Sequence, residues 1–363
     1  MRIMTVLGTR PEIIRLSLII RKLDQYADKH VLVHTGQNFT ATLSDIFFTQ
    51  LELRTPDYRL NMKQQSFGSQ LSAMFGEIEQ IILREKPDKV LLLGDTNSAL
   101  CAIVAERMGI PVVHMEAGNR CFDLAVPEEK NRRVIDAISS YNMPYTQQSK
   151  TNLLREGFPS ERIVLTGNPI YEVLLRFAPQ IEQNDILEQL GLSPRNYFLV
   201  TAHRAENVDS RDHLSQMMSA LNEIAALYGQ RIVCSIHPRT KSRMEQYMDI
   251  DMHPLVEFHE PFGFFEFVKL ERNARCVMTD SGTVQEECCI FHIPTVTMRN
   301  TTERPETVDC GSNVVSGLKA ANIVEAVKIM TELPSDWQCP DGYLATDVSV
   351  KVVKFLLGGK VDV

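Results

Sequence analysis

Short apolar runs rich in β-branched residues alternate along the chain with longer segments in which apolar residues recur at helical spacing. The short runs predict strands buried on both faces, and the amphipathic segments predict helices that cover them. Such alternation is typical of parallel sheets with helices on both sides. The predicted strands are RIMTVL, HVLVHT, KVLLLG, PVVHM, RIVLT, YFLVT, RIVCS, CVMTD, TVTM and NVVS, and the clearest helices are PEIIRLSLIIRKLDQY and HLSQMMSALNEIAALY.

The strand–helix pattern occurs twice, and a polar, helix-forming stretch over about residues 168–195 separates the two halves. A length of 363 residues also favours two domains, because single hydrophobic cores usually stop growing at about 250–300 residues. We therefore predict two doubly wound α/β domains, over residues 1–168 and 169–344, with a cleft between them. The tail VSVKVVKFLLGG predicts a last amphipathic helix within residues 345–363.

Charge and cysteine content narrow the class of protein. The formal net charge is -8, which argues against a general nucleic-acid binder, since phosphate affinity needs clustered Lys and Arg. None of the eight cysteines forms a C-x-x-C pair, so we interpret them as reduced, mostly buried thiols of a cytoplasmic protein. The N-terminus lacks a signal-peptide core, and no apolar run approaches the roughly 20 residues of a membrane span. We expect neither nucleic acid nor membrane as a partner.

Ligands of doubly wound sheets bind at the carboxyl ends of the strands, so the residues that follow each predicted strand are the candidates for function. Polar or charged groups follow the strands in eight places. These are LGTRPE (7–12), TGQN (35–38), GDTN (94–97), EAGNRCFDLAVPEE (116–129), TAHRAEN (201–207), IHPRT (236–240), DSGTVQEE (280–287) and TERPE (302–306).

Two of these segments are typical of helix starts that bind anions. In the first, Thr9 and Glu12 have the spacing of a capping box, and Arg10 lies where backbone N–H groups already favour an anion. In DSGTVQEE, Gly282 would let a phosphate approach the backbone closely. Glu287, further along that helix, could accept two ribose hydroxyls. The alternative is that both segments are only well-capped helices.

The candidates for acid–base chemistry are Asp95, Glu116, Glu128, Glu129 and His203. Carboxylates gathered in one place raise one another's pKa, which can separate them into acid and base roles, and histidine titrates nearest neutrality. Alternatively, the aspartate could cap the next helix, and the two adjacent glutamates could favour a helix dipole. No dinucleotide or P-loop fingerprint, G-x-S-x-G, H-E-x-x-H or metal-ligand spacing is present, so we expect neither a metal nor another cofactor.

These motifs, taken together, resemble those of the non-hydrolysing UDP-N-acetylglucosamine 2-epimerases. The matching segments run in order from residue 5 to about 320: GTRPE, TGQN, GDT, EAGNR, PEEKNR, AHRAEN, DSGTVQEE and TTERPE. The resemblance implies the GT-B fold class, with two Rossmann-like parallel-sheet domains, a cleft, and a C-terminal helix that packs back on the first domain. It also implies an isomerase that eliminates UDP to give 2-acetamidoglucal and adds it back with the opposite C2 configuration.

The resemblance further assigns roles to residues that match its motifs. Arg132 matches an arginine that supports the acidic loop. We also expect a homodimer that serves polysaccharide biosynthesis, with a UDP-sugar as the ligand. The catalytic positions are Asp95, Glu116, Glu128 and His203, and the substrate- or UDP-binding positions are Arg10, Gln37, Arg132, His237, Ser281, Gly282, Thr283, Glu287 and Arg304.

The chain departs from the common family pattern in four places. Arg15 stands where many members have Lys, and Thr283 stands in place of a second glycine. The loop between Glu116 and Glu128 is shorter than usual, which resembles the branch that acts on modified UDP-HexNAc sugars. Only Gln37 and Asn38 match the allosteric UDP-GlcNAc site of some members. The reaction type is therefore better specified than the sugar.

Three alternatives remain open at this point. A hydrolysing 2-epimerase shares the first half-reaction but adds water to the glycal and releases N-acetylmannosamine. A GT-B glycosyltransferase would use the UDP-sugar as a donor and would need an acceptor. A nucleotide-sugar sensor would bind UDP without turnover.

Overall fold

The structure is a computed structural model that describes residues 1–37, 41–60, 66–202, 204–236, 240, 242–244 and 251–358. The chain divides into two compact units. Unit 1 comprises Met1–Arg176 with Asp341–Val363, and unit 2 comprises Phe177–Pro340. The domain boundaries expected from the sequence, after residue 168 and near residue 345, stay a prediction.

Unit 1 is built on a parallel sheet, six-stranded in the described part of the chain, with strand order β3-β2-β1-β4-β5-β6. This is the Rossmann order, in which the direction of winding reverses beside the first strand. The central strands are buried on both faces, which explains their near-continuous apolar runs. The strands are β1 Arg2–Leu7, β2 Lys29–His34, β3 Tyr58–Arg59, β4 Lys89–Leu93, β5 Val112–Met115 and β6 Tyr141–Met143.

Helices cover the unit 1 sheet, and the last one comes from the C-terminal part of the chain. The buried Lys89 at the start of β4 donates its ammonium hydrogens to the carbonyls of Leu356 (2.9 Å) and Phe355 (3.3 Å). A cation at the last carbonyls of a helix complements its dipole. The helices are α1 Arg10–Tyr26, α2 Ala41–Gln50, α3 Phe67–Glu85, α4 Ala102–Arg107, α5 Pro127–Ile138, α6 Gln147–Arg155, α7 Ile170–Arg176 and, in the tail, Val348–Gly358.

Unit 2 repeats the architecture of unit 1. Its parallel sheet has the order β12-β11-β10-β7-β8-β9, which is again the Rossmann order once the strands are counted from β7. The strands are β7 Tyr197–Ala202, β8 Arg231–Ile236, β9 Val256–His259, β10 Cys276–Thr279, β11 Thr295–Thr297 and β12 Asn313–Val315. The helices are α8 Ala178–Gln183, α9 Ile186–Gln189, α10 Ala205–Val208, α11 Arg211–Tyr228, α12 Phe264–Asn273, α13 Gly282–Phe291, α14 Pro305–Asp309 and α15 Ala320–Glu332, so the tail helix is α16.

Nine of the ten predicted strands match strands of the two sheets, and one was wrong. The run RIVLT does not form a strand, because only Ile163 makes a bridge, to Asn142 of β6. The sequence pattern also missed β3, β6 and β9. In the part of the chain that the structure describes, no helix is long and apolar enough to span a bilayer.

Candidate active site

The strand ends of unit 1 gather the candidate residues of four loops. The loops follow β1, β2, β4 and β5, which are neighbours in the sheet. Gly8 lies at the centre of this edge, where a Cβ atom would lie 2.1 Å from Ser98 Oγ and 2.2 Å from Thr35 Oγ1. Those two hydroxyls are hydrogen-bonded to each other at 2.6 Å. The first loop therefore needs glycine for the close approach of its neighbours.

Gln37 is held in this packing by Ser98. Its Oε1 accepts hydrogen bonds from the Ser98 backbone N–H (3.2 Å) and from the Ser98 hydroxyl (3.0 Å). The side-chain carbonyl of Gln37 thus orients the loop that follows β4. A direct role of Gln37 in binding a sugar nucleotide stays a prediction.

Glu12 is a buried acid that the sequence analysis treated only as a helix cap. Its carboxyl group accepts the backbone N–H of Gly8 and of Thr9 (3.1 Å), and it is bonded to Thr96 Oγ1 at 2.6 Å. Burial raises the pKa of Glu12 to about 7, against the opposing effect of these hydrogen bonds, and the nearby Asp95 raises it further. This side chain therefore titrates near neutrality at the strand ends.

Arg10 begins α1 directly beside that group. Its guanidinium carbon lies 5.8 Å from the centre of the Phe47 ring, and burial lowers the pKa of Arg10. Within the described residues, the side-chain guanidinium of Arg10 makes no hydrogen bond or ion pair. A largely desolvated cation at a helix N-terminus is suited to an anionic ligand.

Asp95 and Glu129 share one arginine. The buried Arg132 donates from Nε to Asp95 Oδ2 at 3.0 Å and also from Nη2 to the same oxygen, and from Nη1 to Glu129 Oε2 at 2.6 Å. Burial would raise the pKa of Glu129, but hydrogen bonds from the Cys121 N–H and the charges of Arg132 and Arg133 hold it below its ordinary value. Glu129 is therefore a counter-ion within α5, whereas Asp95 is one-fifth exposed.

Glu116 follows β5 in a strained conformation. Its backbone has φ of 66°, in the left-handed region that non-glycine residues rarely adopt. Its carboxylate is ion-paired with Arg15 of α1, and both side chains are buried. The Arg15 guanidinium carbon also lies 5.9 Å from the centre of the Tyr145 ring. The sequence analysis noted Arg15 only as a departure from the family pattern. An arginine inside an otherwise apolar stretch of helix was a usable signal for a buried ion pair.

A buried histidine connects the loops that carry the two carboxylates. His114 of β5 contacts the carbonyl of Gly94 through Nε2 (2.8 Å) and Asp136 Oδ1 through Nδ1 (2.9 Å). Asp136 also accepts from Arg120 Nη1 (2.8 Å) and from the Gly118 N–H (3.1 Å). Burial would raise the pKa of Asp136, but His114 and Arg120 lower it. The sequence analysis missed this network, although a histidine between apolar residues in VVHM was a usable signal.

Glu128 lies in the first turn of α5, immediately after Pro127. Its side chain is half-buried, and its Oε2 atom is shielded from solvent. The same helical turn carries the buried Glu129, so the two adjacent glutamates have different surroundings. Glu128 remains a candidate for acid–base chemistry.

In unit 2, the segment DSGTVQEE starts α13 at the carboxyl end of β10. A Cβ atom on Gly282 would lie 2.7 Å from Glu303 Oε1, so a larger residue there would require the Glu303 side chain to move. Glu303 is in turn bonded to Arg299 (2.6 Å) and Arg204 (2.9 Å). Arginines, a helix N-terminus and a close backbone approach make this a candidate anion site, with Ser281 as the N-terminal cap position and Thr283 in the first turn.

Further along α13, Glu287 is buried, and the buried Glu271 lies close enough to interact with it. Burial and the charge of Glu287 raise the pKa of Glu271 well above its ordinary value. Glu287 is thus a buried acid whose neighbour is a second buried acid, and its contact with ribose hydroxyls stays a prediction.

The remaining predicted residues divide into two groups. Arg304 is buried and ion-paired with Glu286 of α13, so it fixes the loop to the helix. His203, His237 and Asn38 lie outside the described residues, and their roles stay predictions. Within the described ranges, no three His, Cys, Asp or Glu side chains are grouped so that they could hold a metal ion.

The comparisons with known proteins agree with the motifs. The family model for UDP-N-acetylglucosamine 2-epimerase matches residues 21–357. A UDP-N-acetylglucosamine 2-epimerase of Methanocaldococcus jannaschii is 41% identical over 367 residues, covering 99% of this chain and 100% of that protein. A UDP-2,3-diacetamido-2,3-dideoxy-D-glucuronate 2-epimerase of Pseudomonas aeruginosa is 38% identical over 333 residues, covering 90% of this chain and 92% of that one.

A solved structure gives the same result for the fold. The M. jannaschii UDP-GlcNAc 2-epimerase, crystallised in complex with UDP-GlcNAc and UDP, superposes with a TM-score of 0.94 at 40% identity. The match covers 99% of this chain and 100% of that one. The predicted fold class and the family resemblance are thereby confirmed. The chain belongs to the UDP-N-acetylglucosamine 2-epimerase family.

Proposed function

We propose that this chain interconverts UDP-GlcNAc and UDP-ManNAc, or a closely related pair of modified UDP-HexNAc sugars. The observation that carries the proposal is the position of Asp95 and Glu116. They follow β4 and β5, which are adjacent and in register at Leu93 and Met115. Each carboxylate is bound to a buried arginine, which fixes its position before any substrate arrives.

The proposed reaction has two balanced halves. A side-chain base removes the proton from C2, its electron pair forms the C1=C2 double bond, and the C1–O bond breaks, so that UDP leaves with the bonding electrons. In the second half UDP adds back to C1 while an acid delivers a proton to the opposite face of C2. Positive charge develops at C1 in the transition state, and nearby carboxylates stabilise it.

Asp95, Glu116 and Glu128 are our candidates for base and acid, without assignment among them, and His203 is the fourth catalytic candidate. Arg132 holds the first of these carboxylates. The mostly desolvated Arg10 is suited to the charge that develops on the leaving diphosphate.

We propose that unit 2 anchors the nucleotide. The backbone N–H groups of Gly282 and Thr283 at the start of α13 would bind a phosphate, beside Ser281, whose own N–H donates to Thr279 Oγ1 (3.0 Å). Glu287 would accept the ribose hydroxyls. Glu287 is buried on α13, in the same helix whose start would bind the phosphate. His237 and Arg304 are further candidates for nucleotide contact, the latter through the loop that it fixes.

The relatives of this chain are named for two kinds of UDP-sugar. One relative is named for UDP-N-acetylglucosamine and another for a diacetamido uronic acid sugar, so the substrate is a UDP-HexNAc in both cases. We propose the unmodified sugar as the first substrate to test. All eight cysteines are free thiols, which supports the cytoplasm as the site of action. The homodimer stays a prediction that light scattering would check.

Proton NMR of the protein with UDP-GlcNAc in D2O tests the reaction. We expect UDP-ManNAc as the product with deuterium at C2, no free sugar, and no requirement for an acceptor. Free N-acetylmannosamine would identify a hydrolysing enzyme instead, and a C2 proton that is fully retained would exclude the elimination mechanism. The 6-deoxy and 3-acetamido relatives of the substrate, run in parallel, identify the preferred sugar.

Amide variants of the three carboxylates test the site. Asp95→Asn, Glu116→Gln and Glu128→Gln should each lower turnover by at least about a hundredfold, the usual scale for a general acid or base. UDP affinity should stay near that of the wild type. The exposed Glu79→Gln in α3 is the matched control and should leave turnover unchanged. Normal turnover in all three variants would show that these residues serve the structure only.

A further inference from the structure

Three cysteines lie together in unit 2 and were given no role above. Cys289 is buried near the end of α13, and Cys310 follows α14 and is half-buried. Their Sγ atoms are 3.7 Å apart. Cys339, also half-buried, has its Sγ 3.5 Å from the carbonyl oxygen of Cys289. The cluster therefore joins three separate segments of the unit.

The two closest thiols differ in their chemistry. The hydrogen bond with Cys289 lowers the pKa of Cys310 to about 6, against the effect of burial, and hydrogen bonds with Ser312 contribute to the lowering. The same contact, together with burial, raises the pKa of Cys289. Cys310, the more exposed of the two, is thus the candidate for the nucleophilic thiolate, and Cys289 is the adjacent buried thiol. Accessible thiolates next to a second cysteine are the pattern of oxidation-sensitive sites.

Four other cysteines of the chain provide the contrast. Each is fully buried, and burial is the largest cause of its raised pKa, so these thiols should be inert toward oxidants. The sequence analysis treated all eight cysteines alike, as reduced, mostly buried thiols. The inert thiols are Cys101, Cys234, Cys276 and Cys288.

We propose that Cys310 and Cys289 are a site of reversible oxidation, at which a hydroperoxide converts the two thiols to a disulfide. With hydrogen peroxide, the thiolate of Cys310 attacks one oxygen, the O–O bond breaks, and a sulfenic acid forms while the other oxygen leaves as water after protonation. The sulfur of Cys289 then attacks the Cys310 sulfur, the S–S bond forms, and a second water leaves. With hydrogen peroxide, two thiols and one peroxide give one disulfide and two waters.

Forming this bond requires a movement of the chain. A disulfide has its sulfurs about 2 Å apart, so the two atoms must approach by more than an ångström. Cys289 is two positions beyond Glu287 on α13, and Cys310 follows the loop of Arg304. We therefore expect oxidation to displace α13 and to weaken UDP binding by about tenfold. This consequence rests on the proposed nucleotide site, whereas the disulfide itself does not.

Peptide mapping of the oxidised full-length protein tests the disulfide. The protein is treated with hydrogen peroxide, the remaining thiols are alkylated, and the digest is analysed by mass spectrometry without reduction. We expect a cross-linked peptide pair of Cys289 and Cys310 that dithiothreitol separates, with the buried cysteines alkylated only after denaturation. Absence of any cross-link in the folded wild type, or a cross-link of Cys289 to Cys339, would overturn the assignment.

Single variants assign the roles of the cysteines. Cys310→Ser should abolish the cross-link, and Cys289→Ser should leave a sulfenic acid on Cys310 that dimedone traps. Cys339→Ser should behave as the wild type, and Cys101→Ser is the control for a buried thiol. If the trap labels Cys289 in place of Cys310, the proposed order of the steps is wrong.

Calorimetry with UDP separates the disulfide from the nucleotide site. Weaker UDP binding by the oxidised protein, restored by reduction, supports the link between them. A disulfide that forms without any change in UDP affinity would refute the link and leave the modification site standing. If the reduced protein does not bind UDP, the proposed function fails, and peptide mapping still decides on the disulfide.

Discussion

Glu12 provides the sharpest test of the electrostatics at the unit 1 strand ends. Replacing it by glutamine gives a side chain of the same shape that cannot ionise. The amide oxygen can accept the N–H groups of Gly8 and Thr9, and the amide nitrogen can donate to the hydroxyl of Thr96, as a protonated carboxyl group would. Glu12→Gln therefore keeps the hydrogen bonds and removes the titration.

The expected magnitude follows from the raised pKa. In the fold, Glu12 has a pKa of about 7, against an ordinary value of 4.5, so the protonated form is the one that the fold favours. The stabilising contribution of this group is complete below pH 4.5 and is lost as the pH rises to about 7. The difference between these two pKa values corresponds to about 3 kcal/mol in the free energy of unfolding. Relative to the wild type, Glu12→Gln should gain up to that amount between pH 4.5 and pH 8.

Urea unfolding of both proteins at several pH values measures this difference. Far-UV circular dichroism should follow the transition, because the only tryptophan, Trp337, belongs to unit 2. Hydrogen exchange of α1 peptides gives a second, local readout. Glu129→Gln is the control. The fold lowers the pKa of Glu129, so the stabilisation by its carboxylate is fully present at pH values above the ordinary pKa of 4.5. The effect of this substitution on the free energy of unfolding should therefore be constant over the same pH range. A constant offset for Glu12→Gln would refute the burial argument.

Four further predictions follow from the geometry. Gly8→Ala should lower the free energy of unfolding by about 1–3 kcal/mol through overpacking, whereas Gly76→Ala, which meets open space in α3, should raise it slightly; urea unfolding measures both. Lys89→Met should speed limited proteolysis of the tail helix, since the last carbonyls lose their cation. Glu287→Ala should weaken UDP binding in calorimetry and change kcat little. His114→Gln should lower kcat by about tenfold or more while UDP affinity stays near normal, and an unchanged kcat would limit His114 to a structural role.

The sheets were predictable because their central strands are buried on both faces and stand as short apolar runs. β3, β6 and β9 were missed because their sequences, YR, YNM and VEFH, are not apolar runs, and they depend on pairing with a neighbour, as Tyr58 does with Val33. The run RIVLT was wrongly assigned because of the same dependence on pairing. It has the composition of a strand, but only Ile163 finds a partner, and strand formation requires a ladder.

The strand-end rule identified the candidate loops but not the contacts within them. Asp95 and Glu116 were expected to end neighbouring strands, and β4 and β5 are indeed adjacent. The ion pairs of these carboxylates could not be derived from local spacing, although the family resemblance had named Arg132 as a support of the acidic loop. Arg15 is 101 positions from its partner, and Arg132 lies 37 positions from Asp95. Pairing over such separations is decided by the tertiary fold, which local spacing does not encode.

The strand ends of unit 1 combine several features that lower stability. Glu116 has a left-handed backbone, and its ion pair with Arg15 takes two charges out of water. Replacing a buried ion pair by well-packed apolar residues is often neutral or stabilising. Glu12 adds a buried carboxyl group that titrates near neutrality. A fold optimised only for stability would not collect these features at one sheet edge, and the neighbouring apolar strands show that the chain can pack an apolar core there. The strained backbone, the buried ion pair and the buried acid occur together at the ends of β1, β4 and β5. Their presence there therefore indicates chemistry that needs fixed, partly desolvated charges.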